Sequence, residues 1–267
     1  MKKENTFARR PAQQLYLLKL LVRRNVKNQY YRSFIGVLWT VLNPLLNMLV
    51  MAFVFSQLFG NEGIRLDYPI YVLSGNIIFN VMRASTSGSL PCLVQQQDML
   101  QKTQVSIGLF PTANVFSALM TFGFSFIALF IVMLVRFFMG AYVFTWQIVL
   151  TLVLLPALVL FSLGLSYFLS ALYVFFRDIE HIYSVVLTLW TYLTPLFYTV
   201  DALKNEYVEK FMQFNPMFHF VNYFRDLLMG IVPSLEVHAI CYGFGVAMFI
   251  IGYAFLSAVR NQIAAKL

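Results

Sequence analysis

Charge is what this sequence has least of: 19 Lys and Arg with 11 Asp and Glu in 267 residues, or 11%. That excludes a soluble globular domain, whose surface needs about twice that share. No Asp or Glu falls in the middle of a long apolar run, which disfavours carriage coupled to protons or sodium, since that chemistry needs ionisable groups at membrane depth. Histidine is as sparse. His181, His219 and His238 sit far apart near run ends, and no Ser-His-Asp or H-E-x-x-H spacing occurs, so no catalytic residue is assigned. Cys92 and Cys241 have neither metal-ligand spacing nor an obvious bridge, so no metal site or redox centre is expected. A G-x-x-x-x-G-K-[ST] loop is absent too, so the chain binds no ATP by a Walker motif of its own.

What fills the sequence instead is apolar: 60% of residues, 17% aromatic, at a mean hydropathy of +0.73. Uncharged runs over 33–61, 103–135, 137–176 and 237–259 each exceed the roughly 20 residues needed to cross a hydrocarbon core. Two further stretches complete the count, 68–90 interrupted by Arg83 and 182–200 containing Pro195. The expected fold is therefore an all-α membrane protein, a single transmembrane domain over 1–267, with six transmembrane helices at 34–59, 68–90, 108–136, 146–176, 182–200 and 238–259. With both termini cytoplasmic, 14 of the 19 cations fall inside, Arg83 among them, in keeping with the positive-inside rule. Arg65, Arg136, Lys204, Lys210 and Arg225 remain outside.

Nine of the cations lie in the first 32 residues, next to a span, so anionic membrane lipid is a nearer partner than nucleic acid. Their charged leader is too long for a cleavable signal, and the first span reads as a retained anchor. Within 12–31, Leu15, Leu18, Val22 and Val26 recur at helical spacing with Lys19, Arg23, Arg24 and Lys27 mostly on other faces. This describes an amphipathic helix along the inner leaflet, or else a solvated charged helix. Between it and the first span the chain must turn sharply. Ser33 and Gly36 suit that elbow, Trp39 falls at the interface belt, and Pro44 can kink the span.

Three connections carry information. "PCLVQQQDMLQKTQVS" (91–106) is polar with Leu93 and Leu100 seven apart, so it is either a short helix with a narrow apolar edge toward the cytosol or a plain loop. "FFRDIEH" (175–181) gathers Arg177, Asp178, Glu180 and His181, which reads as a local charge pair or something more. The external stretch 201–233 holds two short helices, about 202–213 and 217–229, the second capped by Asn215 with Pro216 at its first position. Both are too short to span and are expected to dip back into the outer leaflet as re-entrant helices between spans five and six.

These residues together carry a resemblance. "QYYRSFIGVLWTVLNPLL" (29–46) closely resembles the Y-x-x-S-x-L-G-x-x-W-x-x-x-x-P pattern of type-two ABC exporter permeases that move polysaccharides, with Ile35 in place of the usual Leu. "DMLQKTQVSIGLFP" (98–111), "FFRDIEH", "TPLFY" (194–198) and "NPMFHFVNYFRDLLMG" (215–230) are similar to that family's later motifs in order and spacing, with Ser106 where a Pro often stands.

The resemblance implies a homodimeric permease of the bacterial plasma or inner membrane with two copies of a separate ABC ATPase, which would hold the ATP and Mg. Its cargo would be a glycan or polyol-phosphate polymer on a polyprenyl pyrophosphate, such as O-antigen, teichoic acid or capsule. Tyr31, Arg32, Ser33, Gly36 and Trp39 would form the elbow, where the first two either receive the pyrophosphate or anchor the helix to lipid. Gln97, Asp98, Leu100 and Lys102, with Arg177, Asp178 and Glu180, would couple to the ATPase. Phe53, Trp190, Tyr192, Phe197 and Tyr198 would line the path as flat rings against sugar faces. Asn215, Pro216 and Arg225 would shape the exit, Arg225 pairing with Asp226 or meeting outer headgroups. A passive channel or secondary carrier, and a membrane enzyme acting on polyprenyl lipids, are the alternatives.

Overall fold

Capping chemistry sets where the helices stop. The structure, a computed structural model, describes residues 11–30, 66–102, 105–199 and 206–266 with scattered positions between 38 and 54, and all its described regular structure is helical. In chain order these are α1 (Pro11–Tyr30), α2 (Tyr68–Ser89), α3 (Cys92–Gln95), α4 (Gln97–Lys102), α5 (Leu109–Phe138), a 3₁₀ turn (Trp146–Leu150), α6 (Thr151–Phe175), α7 (Ile179–Leu193), α8 (Glu206–Gln213), α9 (Pro216–Leu228), α10 (Leu235–Ala258) and α11 (Arg260–Lys266). Two helices end on a glycine in the left-handed region, Gly140 at φ 73° and Gly230 at φ 78°. After α9, Gly230 N donates to Leu227 O at 3.2 Å and Ile231 N to Asp226 O at 2.8 Å, the paired bonds that close a helix C-terminus on glycine.

Among the described residues, Leu109–Phe138, Trp146–Phe175 and Leu235–Ala258 are long and apolar enough to cross a bilayer. α2 has the length, 22 residues, but carries Asn76, Asn80 and Arg83. α7 differs from the 182–200 span read from sequence: it ends at Leu193 after 15 residues, about 22 Å of rise, and the chain leaves helical geometry at Thr194. The expected first span, 34–59, lies largely outside the described residues.

The long helices share two ends. Asp67, just before α2, accepts from Arg136 near the end of α5 through two bonds, 2.9 Å from Nε and 2.6 Å from Nη2, so these helices run antiparallel. At their other end Asn114 Nδ2 donates to Gly88 O at 2.9 Å and Asn25 of α1 donates to Asn114 Oδ1 at 2.8 Å. α6 and α10 run parallel and touch through backbone. A Cβ on Gly245 would stand 2.7 Å from Ala157 O, and one on Gly252 1.9 Å from Gly164 O, so only glycine permits this approach.

The main core joins α2, α5, α6, α9 and the 194–198 segment. A second core, at the end where α1 lies, joins α1, α3, the start of α5 and the ends of α6 and α10 with α11. Leu21 and Val22 bury α1 against it, so the helix packs on α5 while Leu15 and Tyr16 stay exposed.

α9 is the most deeply packed of the short helices. It packs against α2, α6, α10 and the 3₁₀ turn, with Met217, Phe220, Val221 and Phe224 fully buried, so its apolar stripe faces protein. Tyr142 Oη donates to Leu228 O at 2.9 Å and helps fix its end; burial pushes this phenol up to about 12, so it keeps its proton as donor.

Candidate functional site

Three polar stripes converge on one groove. Asn76, Asn80 and Arg83 recur on α2 at spacings of four and three, which puts them on one helix face. Thr188 and Thr191 do the same on α7, and Asn43 and Asn47 on the stretch before α2, where Asn47 Nδ2 donates to Asn43 Oδ1 at 3.0 Å. Together with Ser125 of α5, Tyr192 and apolar Leu73, Ile77, Phe79 and Phe197, they line a cavity of about 450 Å³.

The threonines are committed in a way that leaves acceptors facing inward. Thr188 Oγ1 donates to Ser184 O at 3.0 Å and Thr191 Oγ1 to Leu187 O at 2.7 Å, so each hydroxyl offers lone pairs to the groove. Arg83 Nη2 donates to Thr191 Oγ1, and its guanidinium carbon lies 5.3 Å from the Phe79 ring centroid. Below it Tyr183 Oη donates to Thr86 Oγ1 at 2.7 Å. These bonds tie α7 to α2. The opposite face of α7 is apolar and open, with Ile182 57%, Val185 60% and Leu189 58% exposed.

Beyond Leu193 the backbone leaves helical geometry, and its buried polar groups then need partners from elsewhere in the protein. Four consecutive carbonyls are met by side chains. Pro195 O and Leu196 O accept from Arg225 at 2.8 and 3.1 Å, Phe197 O from Tyr68 Oη at 2.8 Å, and Tyr198 O from Tyr71 Oη at 2.7 Å. Arg225 also donates to Tyr71 O at 3.2 Å and stacks 3.5 Å over the Tyr71 ring. Asn215 has three duties: it caps α9 by accepting from Met217 N at 3.0 Å, accepts from Trp190 Nε1 at 2.8 Å, and donates to Thr194 Oγ1 at 2.9 Å. Pro216 supplies the first residue of α9.

The expected site residues therefore separate. Tyr192 and Phe197 line the groove. Trp190 and Tyr198 are held by hydrogen bonds beside it, Tyr198 Oη donating to Tyr192 O at 2.5 Å. Trp39 is exposed; Tyr31, Arg32, Ser33, Gly36 and Phe53 lie outside the described residues. Arg225 is not at a headgroup or paired with Asp226: it is 3% exposed and spends its donors on carbonyls, because the broken chain beside it needs them. The groove's own polar residues, Asn43, Asn47, Asn76, Asn80, Arg83, Thr188 and Thr191, were missed. The signal was present, as polar residues three and four apart inside apolar runs.

At the α1 end, Gln97, Asp98 and Lys102 of α4 and Arg177, Asp178, Glu180 and His181 are exposed, with Glu180 accepting from Tyr173 Oη at 3.2 Å. The apolar edge foreseen on 91–106 turns inward instead: Leu93 is fully buried and Leu100 packs on the second core, since Gln96 divides the stretch into two short helices. Arg24 Nη1 donates to Gln96 Oε1 at 3.3 Å, joining α1 to that division. Cys92 and Cys241 are buried free thiols, and among the described residues no three His, Cys, Asp or Glu gather as a metal site would require.

Comparison with known proteins completes the description. The chain is 34% identical over 202 residues, 75% of each chain, to the O-antigen export system permease protein RfbA of Myxococcus xanthus. It is 25% identical over 252 residues, 93% of each, to the protein of that name from Klebsiella pneumoniae. To the polysialic acid transport protein KpsM of Escherichia coli it is 18% identical over 213 residues, 79% of this chain and 81% of that one. The family described as ABC-2 type transporter matches residues 16–229, and the chain belongs to that family.

Proposed function

We propose that this chain is the membrane-spanning permease of an ATP-driven exporter that moves a polysaccharide from the cytoplasm across the plasma membrane. The observation that carries the reading is the groove, a wall of amides and hydroxyls on α2 and α7 in a chain whose other flanks are apolar. A sugar polymer needs donors and acceptors throughout its passage, and asparagine side chains supply both. The relatives named for O-antigen export and polysialic acid transport support a glycan as the cargo class.

In finer detail, the cargo is a glycan or polyol-phosphate polymer on polyprenyl pyrophosphate, of the O-antigen, teichoic acid or capsule kind, received at the elbow by Tyr31 and Arg32. The chain has six spans and cytoplasmic termini, so the α1 end is the inner one; Lys19, Arg23, Arg24, Lys27, Lys102, Arg177 and Arg260 all belong to that end, which supports the assignment. Anionic lipid meets α1 there. The exposed residues of α4 and of 177–181 dock two copies of an ABC ATPase, which binds ATP and Mg and does the hydrolysis. Two permeases assemble as a dimer, and the path runs along the groove between α7 and the stretch that holds Asn43 and Asn47.

Purification of the tagged chain from native membrane in mild detergent tests this. A Walker-motif ATPase at one copy per permease, and two permeases per particle, is the expected result. A chain that comes out alone even with ATP trapped overturns it.

A further inference from the structure

We propose that the groove accepts an anionic part of the cargo and that Arg83 is the charge that receives it. The proposal rests on the reading of the groove as the cargo's path.

Arg83 lies 15 residues into α2 from Tyr68 and six from its other end at Ser89. An arginine placed so close to one end ordinarily snorkels to the nearer interface. This one does the opposite. Its side chain follows the tilt of helical Cα–Cβ bonds toward the helix start, over Phe79 one turn earlier, and reaches Thr191, which lies 12 residues into a 15-residue helix that starts at the α1 end. The guanidinium is thereby carried toward mid-membrane and into the cavity.

What it meets there is uncharged. The residues lining the groove are Asn, Thr, Ser and apolar side chains, with no carboxylate among those described. The contrast with Arg225 is informative: that guanidinium is enclosed and donates three bonds to carbonyls, whereas Arg83 donates to the Thr191 hydroxyl and turns a face toward open cavity. A half-exposed cation in a polar pocket without an acid is complementary to a carboxylate or phosphate, which a guanidinium binds through paired donors. Asn76, Asn80 and Thr188 are then spaced to take neighbouring hydroxyls. Two sources share that anionic chemistry: acid substituents repeated along the glycan, and the phosphate joining it to its carrier.

The test is binding to the full chain in phosphatidylcholine nanodiscs, with oligogalacturonate, an uncharged galactan oligomer and inorganic pyrophosphate as probes. The acidic oligomer is expected to bind about tenfold tighter than the neutral one, equal to ~1.4 kcal/mol, and Arg83→Gln to bring the two within about twofold. Arg83→Lys keeps part of the preference. Tyr183→Phe, which removes an α2–α7 bond outside the groove and leaves the charge, keeps it all and controls for loss of the α2–α7 tie. Stronger competition from pyrophosphate than from oligogalacturonate identifies the carrier phosphate as the anion, and the reverse identifies the glycan's acids. Equal binding of acidic and neutral oligomers, or a preference that survives Arg83→Gln, overturns the proposal while leaving the glycan path standing. Binding of no oligosaccharide removes both.

Discussion

Arg225 and Arg83 are the same residue in two surroundings, one enclosed by protein and one facing a groove. Arg225 sits beside the chain that leaves helical geometry after Leu193, and two of its three bonds go to carbonyls, Pro195 O and Leu196 O, that a continued helix would have satisfied for itself. Arg83 sits on an intact helix whose backbone needs nothing from it. The first cation holds the fold; the second is available to a ligand. Charge in a hydrophobic run therefore does not mean function until the hydrogen-bond debts of the neighbouring backbone have been counted.

Substitution should separate the two regions. Arg225→Met is expected to be the most damaging change, because it orphans buried carbonyls at about 1–3 kcal/mol each; heating in detergent followed by size-exclusion chromatography should show little folded protein. Gly75→Ala attacks the same node more gently. Its Cβ would stand 2.7 Å from Arg225 Nη2 and 3.3 Å from Leu196, and overpacking of that kind costs about 1–3 kcal/mol. Arg83→Gln should leave the thermal midpoint within about 1 kcal/mol of native and lower export instead, by about tenfold for a charged cargo, measured as surface polymer by cell fractionation. Tyr183→Phe loosens α7 by one neutral bond, about 0.5–1.5 kcal/mol, and should raise amide exchange in Ile179–Leu193 without altering α9. Smallest is Asp67→Asn. The Arg136 pair has side chains 29% and 9% exposed, and such a pair contributes up to about 1 kcal/mol, less at high salt.

The same contrast explains what was legible in advance. Helix starts marked by local chemistry came through, as with Asn215 and Pro216 before α9, because a cap depends on residues two or three apart. The apolar runs behind α5, α6 and α10 came through because hydropathy is summed over many residues. What α9 packs against did not, since Met217, Val221 and Phe224 present the same stripe to lipid as to a protein core. Nor did the end of α7, because Pro195 is compatible with a kinked span; what stops the helix is carbonyl satisfaction by Tyr68, Tyr71 and Arg225, more than 100 residues upstream or 30 downstream. The groove lay between these cases. Its spacing was visible in Asn76, Asn80 and Arg83, but the facing stripes on α7 and the 43–47 stretch needed three dimensions to meet.

The glycine contact between α6 and α10 has a consequence in time as well as space. Gly164 is made 88 residues before Gly252, and at ribosomal rates of about 5–20 residues per second that is a wait of roughly 5 to 20 s. For that interval α6 stands in the bilayer with Ala157 and Gly164 on a face that no helix yet covers, and α10 closes it. Biogenesis therefore turns on α10: a chain cut short after α9 would leave α6 with the face around Ala157 and Gly164 uncovered.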